Sequence, residues 1–76
     1  MKTVNIMLGT INDVKEFVNV VTRYDFDVDL VSGRYAVDAK SIMGIFSLDL
    51  SKPIRVDIHA ENASEFLGAI KKFITE

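Results

Sequence analysis

The sequence predicts an α+β fold, an open-faced two-layer sandwich in which helices cover one face of a four-stranded antiparallel sheet. Four segments alternate apolar and polar residues, and three others carry apolar residues at helical spacing. The 76 residues are enough for one domain, which we expect to span residues 1–76. The predicted order is βαββαβα. Strands with one apolar face need helices to cover that face, so two layers follow.

The first strand and the first helix are predicted from residues 2 to 24. Every second residue between Lys2 and Leu8 is apolar, which indicates a half-buried strand. Thr10 then stands three residues before Asp13, a spacing similar to a capping box with Asp in place of Glu or Gln. A helix is predicted over residues 11–24. Its apolar stripe consists of Val14, Phe17, Val18, Val21 and Tyr24.

A hairpin and a short helix are predicted next. Residues 26–30 and 34–39 both alternate, and Ser32-Gly33 between them is suited to a tight turn. Ser41 is positioned to cap a short helix that runs to Leu48. The apolar residues of that helix are Ile42, Met43, Ile45 and Phe46.

The last strand and the last helix complete the pattern. Residues 54–60 alternate, with the polar side chains of Arg55, Asp57 and His59 on one face. The last helix begins near residues 62–64. Its apolar stripe consists of Phe66, Leu67, Ile70, Phe73 and Ile74.

Composition argues against several classes of function. The chain has no cysteine, so it can form neither a disulfide nor a thiolate metal site. Its net charge of −2 comes without a basic stripe, so we expect no nucleic-acid partner. No apolar run is long enough to span a bilayer, and no signal peptide is apparent. We therefore expect a cytoplasmic protein that makes no membrane contact and needs no cofactor.

One segment of nine residues points to a known family. The stretch Lys40-Ser41-Ile42-Met43-Gly44-Ile45-Phe46-Ser47-Leu48 is very similar to the serine-site segment of HPr proteins, the phosphocarriers of the bacterial sugar phosphotransferase system. The similarity extends over nearly the whole chain, and the predicted element order is that of HPr. The resemblance implies an HPr-like sandwich and a carrier or binding protein rather than an enzyme.

The chain departs from the family at the phosphorylated histidine. HPr proteins carry a Gly-Ile-His-Ala-Arg-Pro type segment after the first strand. In the ungapped alignment Thr10 occupies the histidine position, Asn12 the arginine position and Asp13 the proline position. A threonine hydroxyl without an adjacent base is a weak nucleophile, and Asn12 offers no cation to the phosphoryl group. We therefore expect no catalytic residue and no histidyl phosphotransfer.

The serine segment retains two possible functions. Ser41 matches the serine that a dedicated kinase phosphorylates in many HPr proteins, which makes it a candidate for regulatory phosphorylation with Lys40 beside it. Ile42, Met43 and Phe46 resemble the apolar patch with which HPr proteins dock onto enzyme I, the HPr serine kinase or a transcription factor. One helix face cannot bury every apolar residue of so short a helix, so we expect Met43 and Phe46 to face outward.

Two further polar groups are interpreted as solvated surface. His59 is the only histidine, and its register places it on the polar face of the last strand, away from the start of the first helix. Asp25, Asp27 and Asp29 lack the glycine-hinged loop and the further oxygen ligands of a Ca²⁺ site. No metal site is expected at either group.

Three functions remain open at this point. The first is a non-catalytic regulatory or docking protein of the phosphotransferase system. The second is a phosphocarrier with an unconventional acceptor, Thr10 or His59. The third is a small ligand-binding or oligomerising α+β module without any link to that system.

Overall fold

In a computed structural model of the protein, residues 1–75 are described, and they form a two-layer α+β sandwich. The sheet consists of five antiparallel strands in the order β3-β2-β4-β1-β5. The elements are β1 Lys2–Ile6, α1 Ile11–Val21, β2 Val28–Ser32, β3 Tyr35–Asp38, α2 Ile42–Phe46, β4 Ile54–Ile58, α3 Ser64–Ala69, a 3₁₀ turn Lys71–Phe73 and β5 Ile74–Thr75. The predicted open-faced sandwich is confirmed, and the predicted number of strands is wrong.

Alternation along the strands separates the two faces of the sheet. Val56 in the central strand β4 lies opposite Val4 of β1 and Leu30 of β2, so these three side chains share the face that the helices cover. Side chains one position away, such as Asp57 and Asp29, point to the open face. The core lies between this sheet and the helices. Its buried members are Ile6, Leu8, Val14, Phe17, Val21, Val28, Leu30, Ala39, Ile45, Leu48, Ile54, Val56, Ile58, Ala63, Phe66, Ile70 and Phe73.

The end of the chain differs from the prediction. α3 ends at Ala69, and the chain continues through the 3₁₀ turn into β5, where the sequence predicts one helix through Ile74. β5 pairs with the edge of β1, and the Met7 N–H donates to the Phe73 carbonyl at 2.9 Å. Without β5 the polar backbone groups on that edge of β1 would lack partners. Ile74 and Thr75 are both β-branched, which favours the extended backbone that this pairing needs.

The first helix is also shorter than predicted, because it ends at Val21 instead of Tyr24. The Arg23 and Tyr24 N–H groups each bond to a carbonyl three residues earlier, so the end of the helix tightens into a 3₁₀-type turn. This turn frees Tyr24 from the helix stripe. Its ring packs instead with Phe26 and Phe66, at centroid distances of 5.5 and 5.1 Å.

The hairpin between β2 and β3 turns one residue later than predicted. Ser32 pairs with Tyr35, so the two residues of the loop are Gly33 and Arg34 instead of Ser32 and Gly33. Gly33 has a φ of +60°, and no other residue among 1–75 has a positive φ. A positive φ at only the first loop position is the pattern of a type II′ turn, which favours glycine there.

We expect Gly33→Ala to lower the free energy of unfolding by about 1–2 kcal/mol, because a Cβ disfavours the left-handed backbone. A Cβ at Gly33 meets no atom within 4 Å, so backbone strain alone accounts for the loss. Gly68→Ala is the matched control: this residue lies in α3 with open space around it, and alanine there stabilises the helix by up to about 1 kcal/mol. Urea denaturation of both variants measures the difference. If Gly33→Ala and Gly68→Ala changed the free energy of unfolding equally, the left-handed backbone at Gly33 would be contradicted.

Candidate functional site

The start of α1 is fixed by two hydrogen bonds. Thr10 is the N-cap residue, and its hydroxyl Oγ1 accepts the N–H of Asp13 at 3.0 Å. The Asp13 carboxylate in turn accepts the N–H of Gly9 through Oδ2 at 3.1 Å. In a capping box the acidic side chain bonds to the N-cap residue itself, so this arrangement is a variant displaced by one residue. Thr10 and Asn12 are exposed, and Asp13 is half-buried.

This arrangement offers no phosphoryl acceptor of the histidine type. The only histidine, His59, lies on the open face of the sheet, where its Nε2 is 3.0 Å from Asp29 Oδ2. α1 covers the opposite face, so no imidazole approaches Thr10. The Thr10 hydroxyl accepts the N–H of Asp13. Among residues 1–75 no side chain accepts a hydrogen bond from this hydroxyl, so no general base is in place.

A lysine from the end of the chain lies across α1. The ammonium of Lys72 donates a hydrogen bond of 2.5 Å to Glu16 Oε2. This bond raises the pKa of Lys72 above its ordinary value, and Asp13 adds a smaller effect of the same sign. The direct partner of Lys72 is Glu16.

Ser41 lies at the start of α2, where the sequence placed a helix cap. Its Oγ accepts the Gly44 N–H at 3.2 Å, and its side chain is exposed. The backbone N–H of Lys40 donates to Asp38 Oδ1 at 2.9 Å, which joins the end of β3 to this segment. α2 has only five residues and ends at Phe46, two residues before the predicted Leu48. A Cβ on Gly44 would lie 3.2 Å from Val37, so glycine permits this close packing of α2 on β3.

The apolar side chains of α2 divide between the core and the surface. Ile45 is fully buried and Ile42 is half-buried. Met43 is 77% exposed and Phe46 is 41% exposed. Met43 and Phe46 therefore belong to the few large apolar side chains that the described residues leave exposed.

Ile11 is an exposed apolar residue that the sequence analysis did not single out. It is the first residue of α1 and is 64% exposed, although its spacing to Val14 and Val18 matches the apolar stripe. Periodicity alone does not reveal this exposure, because the first turn of a helix has neighbours on one side only. α1 and α2 pack against each other, so Ile11 adds apolar surface to the same layer as Met43.

The open face of the sheet carries the predicted polar residues. Asp29 lies directly opposite Asp38 on one neighbouring strand and Asp57 on the other, which places three carboxylates in one row. Arg55 forms two hydrogen bonds to Asp57, of 2.9 and 3.1 Å, and His59 contacts Asp29. A shallow cleft of about 480 Å³ is lined by Asp27, Asp29, Asp38 and His59. Within residues 1–75 no group of His, Cys, Asp or Glu is arranged to hold a metal ion.

The helices of the described chain, residues 1–75, include none that is long and apolar enough to cross a membrane.

One protein family matches most of the chain. The family model described as the PTS HPr component phosphorylation site matches residues 12–76. The matched range begins at Asn12, two residues after Thr10. It covers the serine segment, β4 and β5.

Solved structures of phosphocarrier proteins share the fold. HPr-C-His from Thermoanaerobacter tengcongensis matches with a TM-score of 0.79 and 24% identity, over 95% of this chain and 89% of that chain. The phosphocarrier protein HPr from Bacillus anthracis matches with a TM-score of 0.73 and 23% identity, over 97% and 96%. The histidine-containing phosphocarrier protein of Mycoplasma matches with a TM-score of 0.75 and 12% identity, over 93% and 89%. At these identities the likeness shows the fold.

Proposed function

Because this chain belongs to the HPr phosphocarrier family of the phosphotransferase system, we propose that it is a non-catalytic regulatory or docking protein of that system. Proteins of this family interact with enzymes of the system such as enzyme I. One observation carries the proposal: the start of α1 presents the exposed hydroxyl of Thr10, and the only imidazole lies on the opposite face of the sheet. We propose that the protein works in the cytoplasm, binds its partners and passes on no phosphoryl group.

The chemistry of the start of α1 supports this proposal. A phosphohistidine carrier needs a nucleophilic imidazole that is neutral near pH 7 and that releases the phosphoryl group again readily. A phosphothreonine ester would be a poor donor to the next protein. Asn12 supplies no cation, and the Asp13 carboxylate adds a negative charge that opposes an incoming phosphoryl group.

The exposed apolar residues support a docking role. Met43 and Phe46 expose apolar surface on α2, beside the half-buried Ile42, and Lys40 adds a positive charge at the edge of the segment. We propose that these four residues contact enzyme I, the HPr serine kinase or a transcription factor of the system. Methionine and aromatic side chains suit such adaptable interfaces.

We propose Ser41 as the regulatory site on this surface. Its side chain is exposed, and its Oγ makes only the weak 3.2 Å capping bond to Gly44, so a kinase can reach it. A phosphate there would place about two negative charges beside Met43 and Lys40 and would change which partner binds. Lys40 compensates part of that charge.

One labelling experiment tests both inherited sites. With enzyme I and radiolabelled phosphoenolpyruvate we expect no acid-labile phosphate on the protein, because it has no acceptor imidazole at α1. With the HPr serine kinase and radiolabelled ATP we expect acid-stable phosphate, which Ser41→Ala abolishes. Ser47→Ala is the matched control, since Ser47 is an exposed serine at the other end of α2.

The outcomes separate the alternatives. Acid-labile phosphate mapped to His59, or phosphate from enzyme I on Thr10, would establish an unconventional carrier and end the non-catalytic proposal. Absence of Ser41 phosphate would remove the regulatory part and leave docking intact. Absence of any binding to proteins of the system would favour the unrelated ligand-binding module.

A further inference from the structure

The carboxylate of Asp13 is held at the start of α1. Its Oδ2 accepts the Gly9 N–H at 3.1 Å, and its own N–H donates to Thr10 Oγ1 at 3.0 Å. Both partners belong to the short segment that joins β1 to α1. The negative charge is therefore fixed beside the exposed position 10 instead of moving freely in solvent.

No ion pair neutralises this charge. Among residues 1–75 the side chain of Asp13 has no Lys, Arg or His partner within 4 Å. The ammonium of Lys72, whose pKa Asp13 helps to raise, is hydrogen-bonded to Glu16 at 2.5 Å. Asn12, in the next position, is neutral. The start of α1 therefore carries a half-buried carboxylate that forms no direct ion pair among the described residues.

A donor of phosphoryl groups must bring its own negative charge to this place. Transfer to the family's acceptor position requires the phosphoryl group of the donor to approach the residue at position 10. A phosphorylated enzyme I that docks in this way carries about two negative charges toward Asp13. The unphosphorylated enzyme brings none. Like charges placed together across an interface weaken binding and slow association.

We propose that Asp13 makes docking selective for the unphosphorylated form of enzyme I, an inference that rests on the proposed docking function. Bound and free populations of this protein then report how much of enzyme I is phosphorylated. The selectivity needs no chemical step on this chain, since it follows from one carboxylate that is held beside position 10.

Binding of enzyme I in its two states tests the inference. The dissociation constant is measured at low ionic strength, with enzyme I as purified and with enzyme I kept phosphorylated by excess phosphoenolpyruvate. We expect the unphosphorylated form to bind about fivefold more tightly. Asp13→Asn keeps an oxygen that can accept the Gly9 N–H and removes the charge, so it should bring the two constants close together. Glu65→Gln, at an exposed carboxylate on α3, should leave their ratio unchanged.

The outcomes distinguish this inference from the docking function. A ratio near one in the unmodified protein, or a ratio that Asp13→Asn does not change, would overturn the inference while docking stands. Binding to neither state would overturn the docking of enzyme I itself. Raising the salt concentration to about 1 M should also reduce the ratio, because exposed charges are then screened within about 3 Å.

Discussion

Thr10→His is expected to turn the protein into a phosphoryl acceptor for enzyme I. The unmodified protein should carry no acid-labile phosphate after incubation with enzyme I and phosphoenolpyruvate, and the variant should carry a readily detected amount. The imidazole would stand at the N-cap of α1, the position that the histidine of HPr proteins occupies in the alignment. The loss of the threonine cap costs about 1 kcal/mol, which the fold should tolerate. Labelling with radioactive phosphoenolpyruvate, followed by mass mapping, measures the gain.

The neighbouring residues should limit the rate of the new acceptor. We expect the double variant Thr10→His, Asn12→Arg to accept about 100-fold faster than Thr10→His alone, because the guanidinium steadies the charge of the transferred group. Thr22→His is the control, since it adds an imidazole at the opposite end of α1. A folded double variant that binds enzyme I and stays unlabelled would contradict the expectation that the residues at positions 10 and 12 alone prevent transfer.

The faces of the sheet could be predicted because a strand has a side-chain period of two. Residues 54–58 show the reason: Ile54, Val56 and Ile58 are fully buried, and any slip by one residue would have exposed all three. The same period places His59 on the open face. The sequence therefore sufficed to separate the only imidazole from the start of the first helix.

The end of the chain could not be predicted from its own periodicity. Phe66, Ile70 and Phe73 are buried as the helical stripe requires, yet the backbone leaves the α-helix after Ala69. A separation of three residues, as between Ile70 and Phe73, suits an α-helix and a 3₁₀ turn equally. What decides the outcome is the free edge of β1, which lies far away in the sequence.

The helix caps of the candidate site could be predicted from the sequence, and the pairing of its charged residues could not. The two caps, Thr10 and Ser41, follow from local spacing, and both structural bonds lie within three residues. The bond between Lys72 and Glu16 joins residues 56 positions apart, so no local pattern contains it. Among residues 1–75 Asp13 forms no ion pair, and this lack of a partner becomes apparent only in the folded chain.

Phe17→Ala is expected to lower the free energy of unfolding by about 3–5 kcal/mol. Phe17 is fully buried on the inner side of α1 and meets the ring of Phe73 edge to face, with centroids 5.8 Å apart. Domains of this size have total stabilities of roughly 4–11 kcal/mol, so the variant would lose a large share. Urea denaturation measures the loss. Phe46→Ala is the control and should cost much less, because that ring is 41% exposed.

The contact between Phe17 and Phe73 also connects the core to the start of α1. Phe73 precedes β5, and its carbonyl accepts the N–H of Met7, which lies in the segment between β1 and Thr10. If Phe17→Ala does not fold, Phe17→Leu keeps most of the volume and should cost about 1–1.5 kcal/mol. Hydrogen exchange of that variant should speed up at Met7 and β5 before it does at β2. A loss confined to α1, with β5 still protected, would show that the end of the chain is held by its strand pairing alone.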